Sequence, residues 1–110
     1  MTDSTLTANL ARAQEDHALL TPVLYEIYTE DKGDLWSLTR RYFPLGATLW
    51  HGFGIWEGGN ELACVIRIVG TKADLQSVAH LAGDIRVVNA QTSVLVTWQK
   101  IDRLDIRELL

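Results

Sequence analysis

The chain has 110 residues, and 10 lysine and arginine residues against 14 aspartate and glutamate residues give it a formal net charge of -4. This length accommodates one domain, and 47% hydrophobic with 22% charged residues excludes intrinsically disordered and low-complexity proteins. No stretch is apolar for long enough to span a membrane, and the dispersed negative charge disfavours nucleic acid as a partner. We therefore expect the protein to bind neither a membrane nor a nucleic acid.

The first half of the chain is predicted to hold an arm, a strand and a helix. Residues 1–21 form an N-terminal arm or a short amphipathic helix, which would be marginal alone. Residues 23–29 alternate and are rich in β-branched and aromatic side chains, which predicts the first strand. Residues 31–33 are typical of a turn. Asp34 is a good N-cap for a helix that ends before Pro44.

Two further strands are predicted to form a β-hairpin. Residues 47–56 and 61–69 both alternate along their length, and Gly58-Gly59 between them suits a two-residue turn that needs positive φ. The pairs expected on one face are Leu49 with Ile68, His51 with Ile66, Phe53 with Cys64 and Ile55 with Leu62. The pairs expected on the other face are Trp50 with Arg67, Gly52 with Val65, Gly54 with Ala63 and Trp56 with Glu61.

The second half is predicted to hold a long helix and a last strand. Thr71 and Asp74 fit a capping box, and apolar residues then recur at helical spacing. Residues 93–99 alternate as a fourth strand, and residues 101–110 fit either a short terminal helix or a tail. The order β-α-β-β-α-β over residues 22–100 is that of a ferredoxin-like α+β fold, with two helices on one face of a four-stranded antiparallel sheet.

The other face of this sheet, which we call the open face, is left without a helix. Trp50 and Trp56 are predicted to lie on it, and large apolar side chains on a bare surface are typical of an interaction site. We therefore expect a homo-oligomer that associates through the open face. The residues predicted to contact a ligand or another subunit are Tyr28, Trp50, Trp56, Glu61 and Arg67.

Three segments resemble a family of short uncharacterised bacterial and phage proteins. They are Tyr28-Thr29-Glu30, Gly52-x-Gly54-x-Trp56-x-Gly58-x-x-Glu61 and Gln91-x-x-Val94-Leu95-Val96. The resemblance spans residues 23–99, and in architecture that family is similar to the CutA and PII-like group of trimeric ferredoxin-like proteins. It implies the fold and oligomerisation but no catalytic residue. His51 departs from the expected pattern because it interrupts an apolar stripe.

A metal site would have to draw on His51, Glu57, Glu61 and His80. His51 and Glu61 fall on opposite faces of the predicted hairpin, and no HExxH or comparable ligand spacing occurs, so we predict no metal. A hydrogen-bonded, partly buried side chain is the simpler interpretation of His51, and a solvent-facing one of His80. The alternative left open is a small enzyme with a site between subunits, in which His51 and either Glu57 or Glu61 transfer a proton.

Other motifs have simpler structural explanations. Gly52-x-Gly54 precedes a hairpin rather than a helix, so it does not fit a dinucleotide-binding loop. Residues 70–72 offer N–H groups and a cation to a phosphate, but ordinary helix capping explains them. The aromatic and basic pattern of RNA-binding sheets is absent.

The one cysteine, Cys64, cannot form an internal disulfide or a cysteine-based zinc site. It falls on the core face of its strand without a nearby cation in sequence, so we expect a small buried apolar residue rather than a nucleophile. A chain without disulfides also favours a cytoplasmic location.

These exclusions favour a function in binding. The sequence predicts a non-enzymatic oligomeric module without a cofactor. Such a module would regulate or inhibit a protein partner, or bind a small ligand at the open face or between subunits.

Overall fold

The computed structural model of the protein describes residues 21–101. Its strands are β1 (Val23–Glu30), β2 (Thr48–Trp56), β3 (Gly59–Gly70) and β4 (Leu95–Lys100), and its helices are α1 (Leu35–Tyr42) and α2 (Leu75–Val88). The strands form one antiparallel sheet in the order β2-β3-β1-β4. The predicted ferredoxin-like α+β fold is confirmed. The predicted arm and C-terminal tail lie outside the described residues, except for Thr21 and Ile101.

The hydrophobic core lies between the two helices and one face of the sheet. Along β1, buried and partly exposed residues alternate, as the sequence predicts for a strand with one covered face. The side chains buried most completely come from β1, β3 and both helices: Tyr25, Ile27, Leu35, Cys64, Ile66, Ile68, Val78, Leu81 and Ile85. Because this core is built on one face only, the opposite face has no covering layer within residues 21–101.

Both helices begin at the predicted caps. The Asp34 carboxylate accepts hydrogen bonds from the backbone N–H of Ser37 at 3.1 Å and from its hydroxyl at 2.6 Å, and these bonds lower the pKa of Asp34. Asp74 Oδ2 accepts a bond from the backbone N–H of Thr71 at 2.8 Å, where a turn of 3-10 helix (Lys72–Asp74) leads into α2. Local side chains thus satisfy N–H groups that a helix start leaves without partners.

The hairpin turn lies one residue earlier than predicted. Glu57 and Gly58 occupy the turn with φ of 50° and 80°, the positive values of a type I′ turn. The open-face pairs are Trp50 with Val65, Gly52 with Ala63, Gly54 with Glu61 and Trp56 with Gly59, and the pairs on the helix side are Leu49 with Ile66, His51 with Cys64, Phe53 with Leu62 and Ile55 with Asn60. The predicted partners are therefore wrong by two residues. A shift of two keeps every side chain on its face, so the predicted faces are correct.

Candidate functional site on the open sheet face

The open face carries large aromatic side chains in contact with solvent. Trp50 is 58% exposed, Trp56 65% and Tyr28 39%. Glu61 and Arg67 lie on the same face, because they pair with Gly54 of β2 and Glu26 of β1. The fold thus brings all five residues of the predicted contact set to one surface.

Arg67 contacts two other residues of the open face, Glu26 and Trp50. Tyr28, Val65 and Trp50 form one row across β1, β3 and β2. Arg67 Nε lies 3.4 Å from Glu26 Oε2, and its guanidinium carbon lies 5.0 Å from the ring centroid of Trp50. The guanidinium therefore holds an ion pair on one side and a cation–π contact on the other, which restrains the Trp50 indole.

A concavity of about 460 Å³ lies on the open face between Tyr28 and Trp56. Gly54 and Ala63 line its floor, while Tyr28 and Trp56 stand beside it. A Cβ added at Gly54 would touch the Cβ of Ala63 at 3.4 Å. The depression exists because Gly54 on the edge strand β2 and Ala63 on β3 are small, whereas Tyr28 and Trp56 beside them are large.

The rim of the concavity is charged. Lys32 Nζ forms an ion pair with Glu30 Oε2 at 2.7 Å, and Glu61 also lines the rim. The bond to Glu30 raises the pKa of Lys32, and the charge of Glu61 adds to this effect. Two carboxylates against one ammonium leave this rim negative.

A buried hydrogen-bond network fixes the wall formed by residues 90–93. Asn89, only 4% exposed, donates from Nδ2 to the Glu30 carbonyl at 3.1 Å and to Gln91 Oε1 at 3.2 Å. Thr29 Oγ1 donates to the same Gln91 oxygen at 2.6 Å. These bonds attach the connection between α2 and β4 to the end of β1. The sequence singles out Thr29, Glu30 and Gln91 in two separate segments but does not predict the network, because nothing in it links these segments to Asn89.

His51 lies on the helix side of the hairpin, away from Glu61. Its Nδ1 is 2.8 Å from Asp31 Oδ2, and its ring lies against that of Trp36 with the centroids 6.3 Å apart. Asp31 was predicted only as a turn residue. The other histidine proposed for chemistry, His80, is exposed on α2. His51 and Glu61, which were named for the alternative enzyme, thus lie on opposite faces of the hairpin and do not converge.

Cys64, His51 and Asp31 are the residue types of a cysteine-hydrolase triad, and Cys64 is the cross-strand partner of His51. However, Cys64 is 1% exposed, and burial, with a smaller effect of the Asp31 charge, raises the pKa of its thiol to about 11. A nucleophilic cysteine needs a lowered pKa and access to substrate. This cysteine is a core residue.

Within residues 21–101, no group of three or more His, Cys, Asp and Glu side chains is arranged to hold a metal ion. Neither helix of this range has the length and apolar character needed to cross a membrane.

Comparisons with known proteins identify relatives in structure only. No protein family and no curated protein matches the chain. A DUF3240 family protein from Shewanella baltica OS155 is 16% identical with a TM-score of 0.53, over 76% of this chain and 92% of that chain. A nitrogen regulatory PII-like protein from Thiomonas intermedia K12, solved with ADP, AMP and bicarbonate, is 19% identical with a TM-score of 0.53, over 76% of this chain and 97% of that chain. At these identities the chain shares with both proteins a fold, the ferredoxin-like architecture of PII-like proteins.

Proposed function

We propose that the protein is a non-enzymatic regulatory module that self-associates through its open face and binds a small ligand or a protein partner there. The exposure of Trp50 and Trp56 on one sheet face carries this proposal. Each indole can bury about 150 to 250 Å², and both helices lie on the other side of the sheet. The simplest way to bury the two indoles on this face is the packing of a second subunit against it.

The hairpin gives independent support. On its helix side, beyond the reach of α1, Phe53 is 83% exposed, Ile55 80% and Leu62 57%. The hairpin is thus apolar on both faces near its tip, and a two-stranded ribbon is marginal in water without packing. A neighbouring subunit that packs against the hairpin would bury side chains that one subunit leaves in solvent.

The PII-like neighbour from Thiomonas intermedia favours regulation over catalysis as a role for this fold. That protein is described as nitrogen regulatory and was solved with ADP, AMP and bicarbonate. In this chain, His51 is engaged by Asp31 on the helix side, which leaves the open face without a histidine among residues 21–101. Binding needs none, so the open face suits a binding module.

Size-exclusion chromatography with light scattering tests self-association. At micromolar concentration we expect a mass of at least twice 12.3 kDa for the wild-type chain. Trp50→Ala and Trp56→Ala should lower this mass. Trp36→Ala is the matched control, because Trp36 is also a tryptophan, 48% exposed, but lies on α1 at the helix side. A wild-type monomer, or an equal effect of Trp36→Ala, would contradict the proposal.

A further inference from the structure

We propose that the concavity on the open face binds a small organic cation, a molecule with a flat apolar body and an ammonium, amidinium or guanidinium group. This inference rests on the proposed function and names the class of ligand that the open face would take.

The shape of the concavity fits the apolar body of such a ligand. Gly54 and Ala63 leave a shallow floor, and the rings of Tyr28 and Trp56 line the same space of about 460 Å³. A flat group on this floor would contact the Cα of Gly54 and the methyl group of Ala63 below it and aromatic rings beside it. Aromatic faces also attract cations, since the ring quadrupole is negative above the plane.

The charges of the rim select a cation over an anion. Among residues 21–101, Lys32 is the one positively charged side chain that lines the concavity, and its ammonium already lies 2.7 Å from the carboxylate of Glu30. An anionic ligand would have to compete with Glu30 for Lys32 while lying near Glu61. A cationic ligand would instead find the Glu61 carboxylate, for which no side-chain hydrogen bond or ion pair within 4 Å is found among the described residues.

The Lys32 ammonium therefore competes with a cationic ligand for the negative charge of the rim. Its side chain is 61% exposed and spans from the loop after β1 to the rim, where it neutralises part of the negative charge. Removing this ammonium should strengthen the binding of a cation, whereas removing the Glu61 carboxylate should weaken it. An anion site would respond to both changes with the opposite sign.

The experiment uses three probes of nearly identical size and shape: benzamidine, which is positive, benzamide, which is neutral, and benzoate, which is negative. Each is titrated into the full-length 15N-labelled protein, and the indole N–H signals of the tryptophans report binding. We expect benzamidine to bind about tenfold more tightly than either other probe, as a charged contact with Glu61 would provide. Tighter binding of benzoate, or equal binding of all three, overturns the proposal.

Four variants then place the site. Glu61→Gln should weaken benzamidine binding about fivefold and Lys32→Gln should strengthen it, since each removes one charge from a partly exposed rim. Gly54→Val should abolish binding because its side chain fills the floor. Glu57→Gln is the control, because it removes a carboxylate from the neighbouring turn that does not line the concavity.

Light scattering on the same samples separates the two proposals. An oligomer that does not prefer benzamidine would overturn the ligand class and leave the proposed self-association in place. A monomer that binds benzamidine with the expected charge dependence would overturn the proposed self-association and leave the ligand class in place. ADP serves as a further probe, and ADP binding that Lys32→Gln weakens would identify an anion site instead.

Discussion

The guanidinium of Arg67 lies over the indole of Trp50, 5.0 Å from the ring centroid, although the two residues are not directly opposite in the hairpin. Trp50 faces Val65, while Arg67 faces Thr48, so the contact runs along the diagonal. A long side chain spans this diagonal on one face of a sheet. Trp50 is therefore held in place on the open face by a contact within the same chain.

The first prediction separates association from folding. Trp56→Ala should reduce oligomer mass and change the free energy of unfolding of the subunit only slightly, because this side chain is mostly exposed. Ile66→Ala should lower the free energy of unfolding by about 2 to 5 kcal/mol, since Ile66 is 0% exposed and its truncation leaves a cavity. Urea denaturation at low protein concentration and light scattering measure the two effects. Equal losses of stability with unchanged mass would contradict the assigned faces.

Two glycine-to-alanine substitutions should change the free energy of unfolding in opposite directions. A Cβ at Gly70 would clash with the carboxylate of Asp74, which caps the Thr71 N–H, so Gly70→Ala should destabilise the protein by about 1 kcal/mol or more. Gly83 lies exposed in α2, and an added Cβ there would meet no neighbouring group within 4 Å in the part of the chain that the structure describes, so Gly83→Ala should stabilise by about 0.5 to 1 kcal/mol. Thermal and urea unfolding compare the two. Stabilisation by Gly70→Ala would show that Asp74 is free to move.

Two threonine-to-valine substitutions test the buried network. Thr29→Val removes the hydroxyl that bonds Gln91 at 2.6 Å and should cost about 1 kcal/mol of stability. Thr39 is also buried, but its hydroxyl has no hydrogen-bond partner within residues 21–101, so Thr39→Val should be neutral or stabilising. The difference in the midpoint of urea unfolding is the measurement. The same loss in both variants would mean that the hydroxyl of Thr29 contributes nothing specific.

Stability should fall at alkaline pH through Cys64. In the unfolded chain a thiol ionises near pH 8.5, whereas burial keeps the pKa of Cys64 at about 11 in the folded protein. Between these values the folded state holds more protons, so this contribution is complete below pH 8.5 and is lost as pH rises, by up to about 1.4 kcal/mol per pH unit. Urea unfolding from pH 8 to 10.5 should show a shallower decline in Cys64→Ala. An identical slope in both proteins would contradict this origin.

The turn residue Glu57 has φ of 50°, a region that asparagine and glycine adopt more readily than glutamate. Glu57→Asn creates the Asn-Gly pair preferred in type I′ turns and should stabilise the protein by a few tenths of a kcal/mol. Glu57→Val, with a branched side chain at the same φ, should destabilise it. A rank order of stability other than Asn, Glu, Val would argue against this turn geometry.

The hairpin shows why sequence predicts faces better than partners. Alternation alone assigns a residue to a face, and Trp50 and Ile66 are on the faces that alternation predicts. The register depends instead on which two residues form the turn. A turn at Gly58-Gly59 would cost less conformational free energy, because glycine adopts positive φ readily. In the structure, however, Glu57 takes a left-handed conformation and Gly59 pairs with Trp56 in the ladder. Tertiary pairing outweighed the local preference.

The contacts that were missed join residues with no periodic relation in sequence. Asp31 and His51 meet because the end of β1 lies near the middle of β2, two strands away in the sheet. Asn89 reaches Thr29 because α2 ends beside β1. No pattern in one chain signals such a meeting. The concavity was missed for a related reason, since its floor and its rim come from different strands.

The hairpin is apolar on both faces, so the rate at which its backbone hydrogen bonds open should depend on protein concentration. Phe53 and Ile55, each at least 80% exposed, add little burial energy in one subunit, so the amides around them should open more often than those of β1. Docking of a second subunit would close these openings. Amide hydrogen exchange should therefore slow in residues 52–62 as protein concentration rises, while exchange in β1, whose residues pair on both sides, stays constant.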